Sequence, residues 1–300
     1  LPIIVMPNDK NNPPTFTGQW RPEGGHFQFW GIYFDRTAGG VGSRAIRIYD
    51  CDSALFAYCT ILVGGIGIEQ ANNNAKNVRC HRVFFDASQQ SSGGGTGFSA
   101  FKNGVGNSYN VNLGSVFDYC FFKDFVNNRE TFKINSLGTR LYRCHSVNCT
   151  DWSLRYCWET TIEECRIEGA GGNNTGIAQG RITGFGPDNI FRNNICGDIF
   201  VCRGTTAADE PPTITSFIYF ASARSLIQNN TANRIIVGRT LFGTMNFQAT
   251  GTLASGNSVT PTTENGASFG TAPTVASATP PILSDTVTGV AAYATLVDDA

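Results

Sequence analysis

The chain has 300 residues and a formal net charge of −1, with only 15% charged side chains against roughly 25% in an average globular domain. That balance excludes broad electrostatic capture of nucleic acid or of an anionic membrane surface. An apolar fraction of 41%, with 22 Phe, excludes a disordered chain and is enough for a large core. The longest uncharged apolar stretch, residues 53–68, holds Thr60 and three glycines and is too short to span a bilayer, so no membrane insertion is expected.

In chain order, residues 1–6 show neither a basic region nor a long apolar run, so no signal peptide is read there; the absent initiator Met suggests a processed chain or a fragment. Trp20, Phe27, Phe29, Trp30, Tyr33 and Phe34 concentrate in residues 15–45, and residues 1–45 are read as an N-terminal cap or attachment segment. Five strand-sized segments then share one frame, an apolar residue, two variable residues, a Cys or Asn, and further apolar residues: 117–122, 141–147, 162–167, 190–195 and 226–231. Looser copies lie at 48–51, 78–83 and 253–259. The anchors Cys120, Cys144, Cys165, Asn193 and Asn229 are 24, 21, 28 and 36 residues apart. Such a repeat with insertions, little helical periodicity and strand-length units predicts an all-β solenoid over residues 46–260. Equivalent residues then stack about 4.8 Å apart, with Cys packing as a small hydrophobe and Asn bonding along a ladder. The ten cysteines include no CxxC pair, so they read as buried thiols, and neither a metal nor a cofactor is implied. The Gly-rich residues 91–97 read as an insertion between strands without the residues of a phosphate-binding loop. Residues 261–300 carry no basic side chain and read as an extended C-terminal segment, a linker or an oligomer interface.

The Cys/Asn frame and the Asn- and Gly-rich turns resemble the right-handed single-stranded parallel β-helix group, which includes pectate lyases, polygalacturonase-type hydrolases and bacteriophage tail spikes. The resemblance covers residues 46–260 and lies in architecture. The sequence motifs of the polygalacturonase-type hydrolases occur only as fragments, such as Arg166-Ile167-Glu168, so that activity is not implied. Low Lys content, many Asn and Gly, and a Thr/Ala/Ser-rich C-terminus look most similar to tail spikes, which are homotrimers that bind, and often cleave, bacterial surface polysaccharide.

If the anchors point inward, the residues before them form one outward row, Tyr119, Arg143, Glu164, Arg192 and Gln228, and those after them another, Phe121, His145, Arg166, Asn194 and Asn230. The plain reading is an exposed ladder of ion pairs. The functional reading is a glycan site: Arg143, Arg166 and Arg192 hold sugar carboxylates, and His145 acts as the general base of a β-elimination, with Glu164 and Glu168 as further catalytic candidates. Glu164 and Glu168 stand about 13 Å apart on one strand, too far for a glycosidase pair. Residues 151–159 alternate so that Trp152 and Trp158 face the core, or otherwise stack on sugar with Glu159 as a polar partner. His26 and His81 read as isolated surface histidines.

The leading expectation is therefore a viral receptor-binding protein of tail-spike type, homotrimeric, located on the virion tail or extracellular, and recognising a bacterial surface glycan. The alternatives are a secreted β-helical polysaccharide lyase or glycoside hydrolase, and a structural virion or surface protein without glycan activity.

Overall fold

The computed structural model describes all residues except 40–41, 90–98, 104–110, 127–129, 156, 170–179, 206–220, 242–244 and 297–300. The insertion at residues 91–97 thus lies outside the described residues. The chain folds as a right-handed parallel β-helix. Its described strands form three wholly parallel sheets stacked in chain order. The first sheet has 11 strands, from Ile3–Val5 to Phe269–Thr271; the second has seven, from Thr15–Thr17 to Arg166–Gly169; the third has nine, from Arg44–Ile48 to Thr262–Thr263. The middle coils visit the three sheets in turn and return to the first one rung further along; among the described residues, the coils after Arg166–Gly169 carry strands in the first and third sheets. Winding is already under way before residue 46, because Ile3–Val5 pairs with His26–Trp30 and Thr15–Thr17 with Tyr33–Asp35. Phe16 and Trp20 lie over the end of this first stack, with Trp20 edge-on to Phe29 at 4.4 Å between ring centroids.

Short strands follow from tight corners. Between the first and second sheets the turn takes two residues. Its leading residue is left-handed in coil after coil: Tyr58, Arg82, Tyr119, Arg143, Glu164, Asn193 and Asn229 all have φ between 51° and 56°. That conformation costs a side-chain-bearing residue about 1 kcal/mol, which the ladder bonds on either side offset. Gly256 continues the row at φ 65°, where an added Cβ would stand 2.1 Å from Asn229 Oδ1.

The second turn residue points inward. This inner row reads Cys120, Cys144, Cys165, Asn194, Asn230 and, half-buried, Asn257. All ten cysteines are buried and free, and burial pushes the Cys59, Cys149 and Cys157 thiols up to about 12. Where the row changes to Asn, Asn194 Nδ2 donates to Asn230 Oδ1 at 3.0 Å and Asn230 Nδ2 to Asn257 Oδ1 at 3.0 Å. The Oδ1 atoms of Asn194, Asn230 and Asn257 also accept the backbone amides of Cys165, Asn194 and Asn230, respectively. The sequence frame that placed Asn193 and Asn229 on the cysteine row is therefore one residue out in its last two coils. Strand pairing fixes this, since Glu163 stands opposite Arg192 and Arg192 opposite Gln228.

The C-terminal segment turns back and runs along the outside of the first corner. Asn229 Nδ2 donates to the Val275 carbonyl, Asn193 Oδ1 accepts the Ala278 amide, and the Leu283 amide donates to His145 Nδ1 at 3.0 Å. Further along, Gly289 N–H donates to the Arg82 carbonyl and Val290 N–H to Thr60 Oγ1. The short helix Gly289–Ala294 then lays Tyr293 against Gly31, where any Cβ would meet the ring at 2.2 Å. The segment thus straps the coils together along the axis.

Two outcomes are expected from this architecture. Asn230→Ala leaves the Asn194 backbone and side-chain donors without their shared acceptor, and should lower the unfolding free energy in urea by about 1–3 kcal/mol. Burial lowers the His145 pKa, so the native state takes up its proton less readily than the unfolded chain. The stability this gives is whole above about pH 6.5 and is lost as pH falls below that value. The urea midpoint of the wild type should accordingly drop more between about pH 7.5 and pH 5 than that of His145→Gln.

Candidate functional site

The structure separates the residues singled out from sequence. His145 follows the first corner, in register with Phe121 and Arg166 as the stacking predicted, but its ring is buried, 3% exposed, beneath Leu283. Leu283, Phe84 and Phe121 form an apolar cluster around it. His145 as a substrate-facing base is therefore corrected: the strap occupies the space a sugar would need. Its Nε2 lies 3.5 Å from Glu168, whose carboxylate accepts from Arg166 Nε at 2.5 Å. That Arg166 bond, with His145 nearby, holds Glu168 below its ordinary pKa. Glu164 accepts from Arg143 Nε at 2.6 Å and stands opposite Asn193, not between two arginines. Arg192 instead grips Glu163, at 2.6 and 2.9 Å, and Arg140 reaches the other oxygen of the same carboxylate.

The aromatic candidates divide as well. Trp152 is fully buried between Phe122 and Phe132, so it has no ring face to offer a ligand. The alternation holds across Asp151–Leu154 and then reverses as the chain turns toward the next coil: Cys157 points inward and Trp158 is half-buried. Tyr156 lies outside the described residues. Glu159 is exposed and left-handed (φ 56°), one of a second row of corner residues between the third and first sheets with Gly138 and Asp188. His81 is not isolated: its Nδ1 stands 2.5 Å from Asp118 Oδ2.

A denser charged site lies on the outer face of the third sheet, which sequence reading passed over. The strands Arg44–Ile48, Ile66–Gln70, Ser99–Asn103, Glu130–Ile134 and Asp151–Leu154 alternate an inward apolar residue with an outward polar one. Pairing stacks Arg47, Glu69, Lys102, Lys133, Ser153 and Thr183 in one row. Glu69, 2% exposed, binds three cations: Arg44 at 2.7 Å, Arg47 at 2.9 Å and Lys102 at 2.8 Å. Burial alone would raise its carboxyl, but the bonds from Arg44 and Lys102 outweigh that and hold it below the ordinary range. Arg155 pairs with Glu130, and the buried Asp151 takes Arg181 and Thr183. Burial raises the Asp151 pKa in spite of these partners.

Lys133 is the exception. It is half-buried, directly opposite Lys102 on one side and Ser153 on the other, and among the described residues its ammonium has no hydrogen-bond or ion-pair partner. Burial, and then the Arg155 charge, lower its pKa. Like charges stacked in register are destabilising, and a lysine kept unpaired in such a place has the attributes of a functional base. Among the described residues, Arg44, Arg47 and Lys102 pair with Glu69 and Arg155 pairs with Glu130, and with Lys133 beside them the basic side chains outnumber these two acids, so the patch suits an anionic ligand. Further along, Phe200 and Ile236 continue the row as apolar side chains packed with Phe185 and Met245. Among the described residues, no group of three His, Cys, Asp or Glu side chains is placed to hold a metal ion, and no helix is long and apolar enough to cross a membrane.

No protein-family model matches the chain, and no curated protein matches it in sequence. Solved structures do resemble it. A mannuronic acid specific polysaccharide family 6 lyase from human gut microbiota superposes with a TM-score of 0.60 at 14% identity, covering 83% of this chain and 68% of that one. A polysaccharide family 6 alginate lyase in complex with a trisaccharide gives 0.60 at 14% identity, over 84% and 67%. A further alginate lyase, also solved as a complex, gives 0.53 at 13% identity, over 85% and 72%. At this level of identity the likeness concerns the backbone: the chain has the right-handed parallel β-helix fold shared by these lyases and the pectate-lyase-like group.

Proposed function

We propose that the protein is a polysaccharide lyase that cleaves an acidic, uronate-containing glycan by β-elimination on the outer face of the third sheet. The observation that carries this reading is Lys133, a half-buried ammonium with a lowered pKa and, among the described residues, no ion-pair partner, inside a patch of excess positive charge. β-Elimination needs a base for the proton on the carbon bearing the carboxylate, positive charge to stabilise the enolate that develops there, and a proton for the leaving oxygen. Neutral Lys133 takes the proton, and Arg155, whose charge is felt at Lys133, faces the carboxylate. The electron pair of the broken C–H bond forms the new C=C bond as the glycosidic C–O bond breaks. Lys102, one rung away, supplies the proton to the leaving oxygen.

The three neighbouring folds described above favour this reading over the adhesin reading drawn from the sequence, since all three are lyases. The homotrimer and the virion tail belonged to that adhesin reading and have no support of their own. A polymeric glycan is met outside the cell, so the proposed site of action is extracellular.

The test is ultraviolet absorbance of the unsaturated uronide released from polymannuronate, polyguluronate and polygalacturonate. Wild type should generate it; new reducing ends without that absorbance would mean hydrolysis and sink the proposal. Lys133→Ala should lower kcat/KM by about 10²–10⁴-fold, with the circular dichroism spectrum unchanged. Because the base must be neutral, kcat/KM should rise with pH and level off below the ordinary lysine pKa of about 10.4; a rise that continues through that value would remove Lys133 from the role.

A further inference from the structure

The outer face of the first sheet carries charges the proposed reaction does not use. Arg79, Arg140, Arg143 and Arg192 pair with Asp118, Glu163 and Glu164, and the two members of each pair differ in exposure. The carboxylates are 10–11% exposed, whereas Arg79 is 58%, Arg140 51%, Arg143 38% and Arg192 31% exposed. The acids thus lie at the base of the face and orient guanidiniums that stand above them. Aromatic rings complete the support: Arg140 and Arg143 lie 4.9 and 5.0 Å from the centre of the Tyr142 ring, and Arg82 lies 5.2 Å from that of Tyr119. With Arg82 there are five arginines over three carboxylates, so the face presents net positive charge outward. A guanidinium has five N–H donors, and a single carboxylate partner leaves several directed at solvent. Arg79 and Arg140 share one row, with Val116 between them, so they repeat along the axis at about 10 Å, two rungs.

We propose that this face is a second, non-catalytic binding strip for an acidic polysaccharide lying along the solenoid axis, with Arg79, Arg140, Arg143 and Arg192 engaging successive carboxylates. The ligand is a linear polyanionic glycan because the cations recur on every second rung, at the strands Val78–His81, Arg140–Tyr142 and Ile190–Arg192, about 10 Å apart along the axis, which suits a regularly charged extended chain better than a compact anion. The strip lies on a different sheet from Lys133, so its occupancy retains a long polymer without entering the reaction. Rigid presentation by paired acids and rings lowers the side-chain ordering cost of each contact.

Affinity electrophoresis through gels containing polymannuronate, with a neutral glucan gel as control, tests this in the Lys133→Ala background so that the polymer is not consumed. The parent should be retarded by the polyuronate and not by the glucan. Adding R79Q and R140Q should weaken that retardation by about ten-fold, as expected for two lost charge-assisted contacts. The same two substitutions in the otherwise native protein should leave turnover of a uronate trisaccharide within about two-fold, a change below 0.5 kcal/mol. Unchanged retardation of the double variant, equal retardation by the glucan, or no retardation of the parent would each overturn the strip. Failure of wild type to release unsaturated product would overturn the lyase reading and leave the retardation result standing.

Discussion

In-register parallel pairing from one coil to the next is the constraint on which the molecule rests. Because each rung hydrogen-bonds to the rung before it, a residue's neighbours are set by register, about 4.8 Å above and below, and not by sequence proximity. A corner residue that goes left-handed in one coil does so in the next, and the inward residue behind it inherits a column of equivalents. Tyr58, Arg82, Tyr119 and Arg143 adopt a conformation unfavourable to each of them singly because the column leaves no other path.

The same stacking concentrates charge. In an isolated hairpin, Lys102 beside Lys133 would be a local fault; here the two belong to a column beginning with Arg47 and Glu69, and the acid is committed to the residues on its own side. Glu69 binds Lys102 and two arginines directly, whereas among the described residues no carboxylate makes an ion pair with Lys133, and the charges of Glu130 and Glu69 only partly oppose the lowering of its pKa. The outer face of the first sheet uses the opposite arrangement, in which every acid is committed to arginines above it. One column leaves a base of lowered pKa, and the other leaves oriented guanidiniums.

The C-terminal strap adds contacts the coils cannot make alone. It ties Asn229, Asn193, His145, Arg82 and Thr60, which lie on separate rungs, to one continuous segment. A solenoid otherwise contacts only nearest neighbours, so a strand laid along the axis couples distant coils. It also converts His145 from a residue with an open flank into a core histidine, with its ring beside Phe121 and its Nδ1 bonded to a backbone amide.

The sequence by itself determined the solenoid. The recurring Cys120, Cys144 and Cys165 frame specifies strand-length units that can bury small side chains only by stacking, and His145 does stand opposite Arg166. It did not determine the phase of the later coils, because Asn193-Asn194 and Asn229-Asn230 offer two adjacent asparagines and only backbone pairing selects the inner one. The third-sheet site had a faint signal, an apolar residue followed by a charged one in Ile46-Arg47, Ile68-Glu69, Phe101-Lys102 and Phe132-Lys133. Whether such charges meet depends on the lengths of the intervening turns. Tertiary structure alone decided that Lys133 has no ion-pair partner among the described residues and that Leu283 covers His145. Each follows from register or from a contact across more than a hundred residues, where local pattern carries no information about who stands opposite whom.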